Sequence, residues 1–275
     1  MRAQWSIIQL QVRRKMPKAL LAFLFVLVIG CLGYFLLGFR HEDAAEMQPY
    51  VSGFAEDGSE LDQWELMAQS RSFESGGSPK YIAVIGLIGF FGLVWACLDI
   101  PTKKSRSIYT MRRLRVSEKS VVLWDALINT ALFLVLLVSV VSLIFLAGKI
   151  YASADGYVEG AQGITAAILR NKLYNGLIPI GFPLITLRNI GYAACCGLIC
   201  ASASYMLQNR KMIILHILLL GLCLAAIPFE PLMSYGGDGI FEHIVSTMLS
   251  FAWRAAIAVG LFVYTLYQCD RRRQV

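Results

Sequence analysis

The sequence predicts an all-α polytopic membrane protein with six transmembrane helices and a cytoplasmic N-terminal amphipathic helix. Three observations predict it. Of the 275 residues, 57% are hydrophobic and 16% are charged, against about 45–50% and about 25% in soluble globular proteins. The apolar excess is gathered into long runs rather than spread along the chain. The basic residues fall on alternate connections between those runs. The whole chain, 1–275, is expected to form a single transmembrane domain.

Residues 4–16, QWSIIQLQVRRKM, place Trp5, Ile8, Val12 and Met16 on one helical stripe. Such a basic, Trp-anchored helix suits the plane of the inner leaflet, either as a surface helix or as a lever joined to the first span. The first apolar run, 19–39, is long enough to cross about 30 Å of hydrocarbon. It exceeds the roughly 7–15 residues of a signal h-region, and no small-x-small cleavage site follows it. Residues 40–80 then form the largest external loop, with nine acidic residues against three basic ones. That charge could gather cationic substrate, although such loops are more often simply solvated.

The second run, 81–99, ends before Pro101, which cannot continue a helix. Residues 100–119 form a basic elbow in which Thr102 or Ser105 can cap a short helix running to about Leu114. Ser117 can cap the third run, 120–148, with Glu118 favourable in its first turn. That run exceeds one bilayer crossing and should tilt or protrude. Residues 164–174 are helix-compatible, and the Gly and Pro after them break the helix before the fourth run, 184–207. The fifth run, 212–228, is short and ends at Pro228. Residues 229–245 are apolar for a loop and could dip into the outer face where protein buries the backbone. The sixth run is 246–268.

The segment before the first run, the second-to-third and fourth-to-fifth connections and the tail together carry 17 basic residues. The alternate connections carry 6. The basic side is therefore expected to be cytoplasmic, with both termini inside. The net charge of +7 is then a topology signal and requires no nucleic acid. The seven cysteines avoid the predicted external loops, so they offer no disulfide framework. Cys196 and Cys200 share a helix face without a His or carboxylate beside them, which suits small apolar packing better than a metal.

No G-x-x-x-x-G-K-[ST] loop and no H-E-x-x-H pair exists in the chain. Enzymatic chemistry and a metal site are therefore not expected in it. Three charges fall inside apolar runs: Asp125, Arg188 and Arg254. Asp125 is near the inner end of the third run and is expected at headgroup level. Arg188, near the outer end of the fourth, is expected to snorkel. Arg254 lies eight residues into the sixth run, about 12 Å deep, and should face a bundle interior, a cavity or a partner chain.

The order of these features, with YTMRRLRVSEKSVVLWDAL at 109–127, resembles the membrane subunits of exporter-type ABC transporters of the type-2 permease class. In that family the connection between spans two and three is a coupling helix that docks on a cytoplasmic ATPase and often reads like R-L-P-V-S. Arg113, Leu114, Arg115, Val116 and Ser117 match those positions, with Arg115 in place of the usual proline. The resemblance implies an ATPase contact made by Ile108, Met111, Arg112, Arg113, Leu114 and Arg115, leading into Ser117 and Glu118. It also implies a second permease subunit, identical or homologous, around a shared path. ATP and Mg would be held on the partner ATPases, with no cofactor in this chain. The implied location is the cytoplasmic membrane of a bacterium. Two other readings fit the same topology: a non-transport assembly or sensor subunit, and an ion-coupled carrier. The carrier would call for internal repeats and several buried acids near the midplane, and the sequence has neither.

Overall fold

A computed structural model describes residues 2–36, 77–98, 117–153, 183–209 and 240–271. These residues are helical almost throughout. They form α1 (Arg2–Leu24), a π-helical turn (Phe25–Ile29), α2 (Gly30–Leu36), α3 (Gly77–Cys97), α4 (Glu118–Ser153), α5 (Pro183–Asn209) and α6 (Ile240–Arg271). Four stretches are long and apolar enough to cross a membrane: Trp5–Leu36, Lys80–Cys97, Glu118–Ile150 and Thr186–Leu207. The protein is therefore a membrane-embedded helical protein. The 32-residue α6 encloses the run 246–268. The run 212–228, the loop 40–76 and the segment 99–116 lie outside the described residues.

Residues 4–16 and the first apolar run are one helical stretch with no loop between them. Pro17 sits inside it, tolerated although its missing N–H leaves one carbonyl a turn earlier without its usual donor. The buried face is Ile7, Gln11, Lys15, Ala19, Ala22, Val26, Gly30 and Tyr34. The expected stripe is a different face: Trp5 is 62% and Met16 44% exposed, and Ile8 and Val12 are half-buried.

The chain divides into two compact units, and α1, α3, α4 and α5 lend residues to both. The first comprises Met1–Ala22, Phe90–Leu136 and Leu187–Val275. In it Lys15 of α1 meets Asp125 of α4, and Glu118 of α4 meets Tyr205 of α5. Ser204 of α5 donates to the carbonyl of Cys97 at 3.3 Å, satisfying one of the acceptors that the end of α3 leaves open. Val122, Ala126, Ala201, Phe262 and Cys269 bury one another where α4 begins and α5 and α6 approach their ends. The pairings give helix directions. α1 runs parallel to α4, and α4 antiparallel to α5. Because Tyr192 packs on Phe251 and Ala201 clusters with Phe262 and Cys269, α5 and α6 are parallel.

The second unit comprises Phe23–Gly89 and Leu137–Thr186. There the hydroxyl of Tyr81 donates to the carbonyls of Ile29 and Gly30, at 3.1 and 3.0 Å. These carbonyls lie where the π-helical turn meets α2. Gly33 allows that approach, because a Cβ there would overlap the Tyr81 hydroxyl.

α5 is the most enclosed of these four spans, and beside the larger Arg188, Tyr192, Ile199 and Met206 it buries many small residues: Ala193, Cys195, Cys196, Cys200, Ala201, Ser202, Ala203 and Ser204. Small residues let helix backbones approach closely in lipid, where no hydrophobic force drives helices together. The tightest point is Gly197. A Cβ there would overlap Thr130 Oγ1 and stand 2.7 Å from the Thr130 backbone nitrogen and 2.9 Å from its Cα. A backbone cannot step aside as a side-chain tip can. Gly197→Ala should therefore lose about 1–3 kcal/mol of stability, read as a lower thermal midpoint by circular dichroism in detergent. Gly260→Ala is the control: a methyl group at that position meets nothing within 4 Å, and the midpoint should hold or rise slightly.

Candidate functional site

α1 and α4 meet through a buried polar cluster. Lys15 Nζ lies 2.5 Å from Asp125 Oδ1 and donates to Asn129 Oδ1 at 2.6 Å. The Lys15 and Asp125 side chains are 5% and 13% exposed, and Asn129 is fully buried. Asn129 Nδ2 reaches back to Asp125 Oδ2 at 3.5 Å. One turn before Lys15, the amide of Gln11 donates to the carbonyl of Val121 at 3.2 Å. The guanidinium of Arg14 is within electrostatic range of the same carboxylate.

The spacing explains the geometry. Gln11 and Lys15 are four residues apart on α1, and Val121, Asp125 and Asn129 are four apart on α4. Residues four apart stack on one face of a helix. Two parallel helices therefore present matched rows, and each rung of polar groups meets the next. A charge inside a membrane needs a partner and hydrogen bonds. Here the ammonium has the carboxylate and a second acceptor one turn further along.

This placement adds partners that the sequence reading lacked. Asp125 is the counterion of Lys15. Lys15 was counted only among the orientation-setting residues, yet its side chain is sealed inside the unit. Sequence reasoning missed Lys15, Gln11 and Asn129. The signal available was an Asp and an Asn one turn apart on an apolar helix, together with a Gln–Lys pair at the same spacing.

Where the elbow enters α4, the cap forms as expected. The backbone N–H of Ser120 donates to Ser117 Oγ at 3.2 Å, and the two serine hydroxyls are 2.7 Å apart. Glu118 lies in the first turn, which suits the positive end of the helix dipole. It also accepts from the hydroxyl of Tyr205 at 3.2 Å. Ile108, Met111, Arg112, Arg113, Leu114 and Arg115 lie outside the described residues.

A second cluster brings Arg188 and Arg254 to Tyr192. Their guanidinium carbons lie 5.9 and 5.8 Å from the centre of its ring. Arg254 is 9% exposed and donates to the Tyr192 hydroxyl at 3.3 Å, with the Trp253 ring 5.2 Å away. Its side chain is turned in among the helices. Arg188 is drawn in beside it. It is 5% exposed and donates from Nε and Nη2 to Asn189 Oδ1 at 3.3 and 3.2 Å. Gly191 makes room for this aromatic cluster, since a Cβ there would run into the Phe251 ring.

Removing one partner of a buried ion pair strands the other charge and costs about 3–5 kcal/mol, whereas replacing both by apolar groups is often close to neutral. Lys15→Met and Asp125→Leu should each lower the unfolding midpoint in detergent strongly. The double variant should recover most of that loss. Additive losses in the double variant would mean that the two side chains do not depend on one another.

Comparison with protein-family models, with curated proteins and with solved structures found no match for this chain.

Proposed function

We propose that this chain is the permease subunit of an ATP-driven ABC exporter, with six spans and both termini in the cytoplasm of a bacterial cell. The ATP would be hydrolysed on separate cytoplasmic subunits, and a second permease subunit would complete the path. The observation that carries this reading is the rigid attachment of α1 to the start of α4. The basic elbow 100–116 leads directly into Ser117 and Glu118. Within about three turns of that entry α4 holds α1 through Val121, Asp125 and Asn129, and α5 through Glu118. A push on the elbow therefore moves three helix ends together rather than one. ATPase closure would supply the push, and the spans would change their access in response.

The parallel course of α5 and α6 supports the six-span count. Two parallel neighbours require the connection between them, 210–239, to bring the chain back along their length. Its apolar part, 212–228, is suited to make that return through a membrane. Four shown spans, α6 and this return give the even number that places both termini on one side.

Arg112, Arg113 and Arg115 suit bidentate bonds to carboxylates on an ATPase, and Ile108, Met111 and Leu114 suit a groove. Changing Met111 and Leu114 to Ser removes apolar contact while keeping every positive charge, so orientation should persist. Wild type purified in mild detergent should bring down a chain that carries the G-x-x-x-x-G-K-[ST] loop, and the double variant should lose most of it. Equal recovery by both would reduce the stretch to an orientation signal. In a variant without native cysteines, a cysteine introduced near 60 should react with a membrane-impermeant reagent in intact cells. One introduced near 110 should not. Outside labelling near 110 would refute the orientation.

A further inference from the structure

We infer that Lys18 and Trp95 form a seat for the phosphodiester headgroup of an anionic phospholipid. The inference rests on the membrane-embedded fold and not on the transport reading. The Lys18 ammonium stands 4.9 Å from the centre of the Trp95 ring. Both side chains are exposed, Trp95 by 58%. A solvated lysine normally samples many rotamers, and an aromatic face holds it in one place. The ammonium has three donors, and the ring faces only one side of it. Among the described residues Lys18 has no ion pair. Arg14 lies one turn earlier, on the same side of α1.

Depth selects the ligand. Before Lys18 the exposed residues of α1 include the polar Gln9 and Arg13 beside Trp5 and Met16; after it come Leu20, Leu21 and Leu24. On α3 the exposed residues leading to Trp95 are Val84, Ile88 and Phe91. On α1 the exposed polar residues end at the level of this pair, and on α3 Trp95 closes the exposed apolar row. Exposed Tyr264 and Tyr267 lie in the same part of the unit, near the end of α6. Tryptophan and tyrosine concentrate at the membrane–water boundary, which is where phosphate groups are. A positioned cation there, with no carboxylate on it, fits a negatively charged headgroup. Each such cation is worth about fivefold in affinity for an anionic surface.

The test uses the full chain, delipidated in mild detergent and read by native mass spectrometry. Phosphatidylglycerol and phosphatidylcholine are offered in equal amounts, and sodium phosphate is the third arm. Wild type should retain phosphatidylglycerol over phosphatidylcholine by about fivefold or more. Lys18→Gln and Trp95→Leu should each remove most of that preference. Lys18→Arg keeps the charge and should retain it, which separates loss of the seat from misfolding. Lys149→Gln, at an exposed lysine elsewhere, should change nothing. Undiminished retention by Lys18→Gln and Trp95→Leu would overturn the proposal. So would displacement of the lipid by phosphate alone, because the site would then be one for a free anion.

Discussion

The buried ammonium of Lys15 fixes how α1 lies against α4, and much of the first unit follows from it. An ion taken out of water is tolerated only where its partner and its remaining hydrogen bonds are in place. Asp125 and Asn129 provide these from consecutive turns. A slide of α1 by one turn in either direction would break at least one of the two bonds. An apolar seam alone would permit such a slide, because one aliphatic row packs nearly as well as the next. Gln11 adds a second rung at Val121. The polar row thus specifies register, while Ala19 and Ala22 allow close packing as α1 continues.

Register at one end would count for little if α4 were loosely held. Its other face is gripped by α5, which offers a surface of glycine, alanine, serine and cysteine. Gly197 brings the backbone of Thr130 into contact, and Tyr205 bonds Glu118 in the first turn. Phe133 meets Phe90 of α3 with ring centres 5.6 Å apart. The contacts at Gly197 and Tyr205 depend on a small or polar residue at a set position. These residues, rather than the abundant leucines, determine how the helices meet. Many of the large apolar side chains point outward instead, among them Leu21, Leu127, Val138 and Leu249.

That inversion explains what could be read from the sequence. The helical class and most of the spans were legible, because a run of about 20 apolar residues has few other uses. The cap at Ser117 was legible because capping chemistry is local. The faces were not. In water an apolar stripe turns inward; Trp5, Ile8, Val12 and Met16 were read as a stripe facing the inner leaflet, and that reading leaves open which face packs on protein. In a membrane-embedded helix the stripe can remain outside while small and polar residues turn in. Lys15 belongs to the inward face, one turn from Gln11, but a count of basic residues treats it like any other positive charge. Arg188 was read as able to snorkel from near the outer end of its run, and its proximity to Tyr192 was not legible. Residues 108–115 lie outside the described residues.

The same constraint accounts for the π-helical turn. Along α1 and α2 the buried residues mostly recur every fourth position, from Ile7 through Lys15 and Val26 to Tyr34. An α-helix advances 3.6 residues per turn, so a strict four-residue row drifts around the axis by about 40° at each step. One three-residue step, from Ala19 to Ala22, takes back part of the drift. The wider turn at Phe25–Ile29 takes back more, because a π-type turn fits an extra residue into the same rise. Buried Val26 and Gly30 thereby stay on the face that begins at Lys15. The exit of this turn is also where Tyr81 donates to the carbonyls of Ile29 and Gly30. Those carbonyls have a protein partner at a depth where water is scarce. An ideal α-helix through 25–29 would rotate the following residues away from the row. The irregular turn is therefore part of what keeps one buried face continuous along α1 and α2.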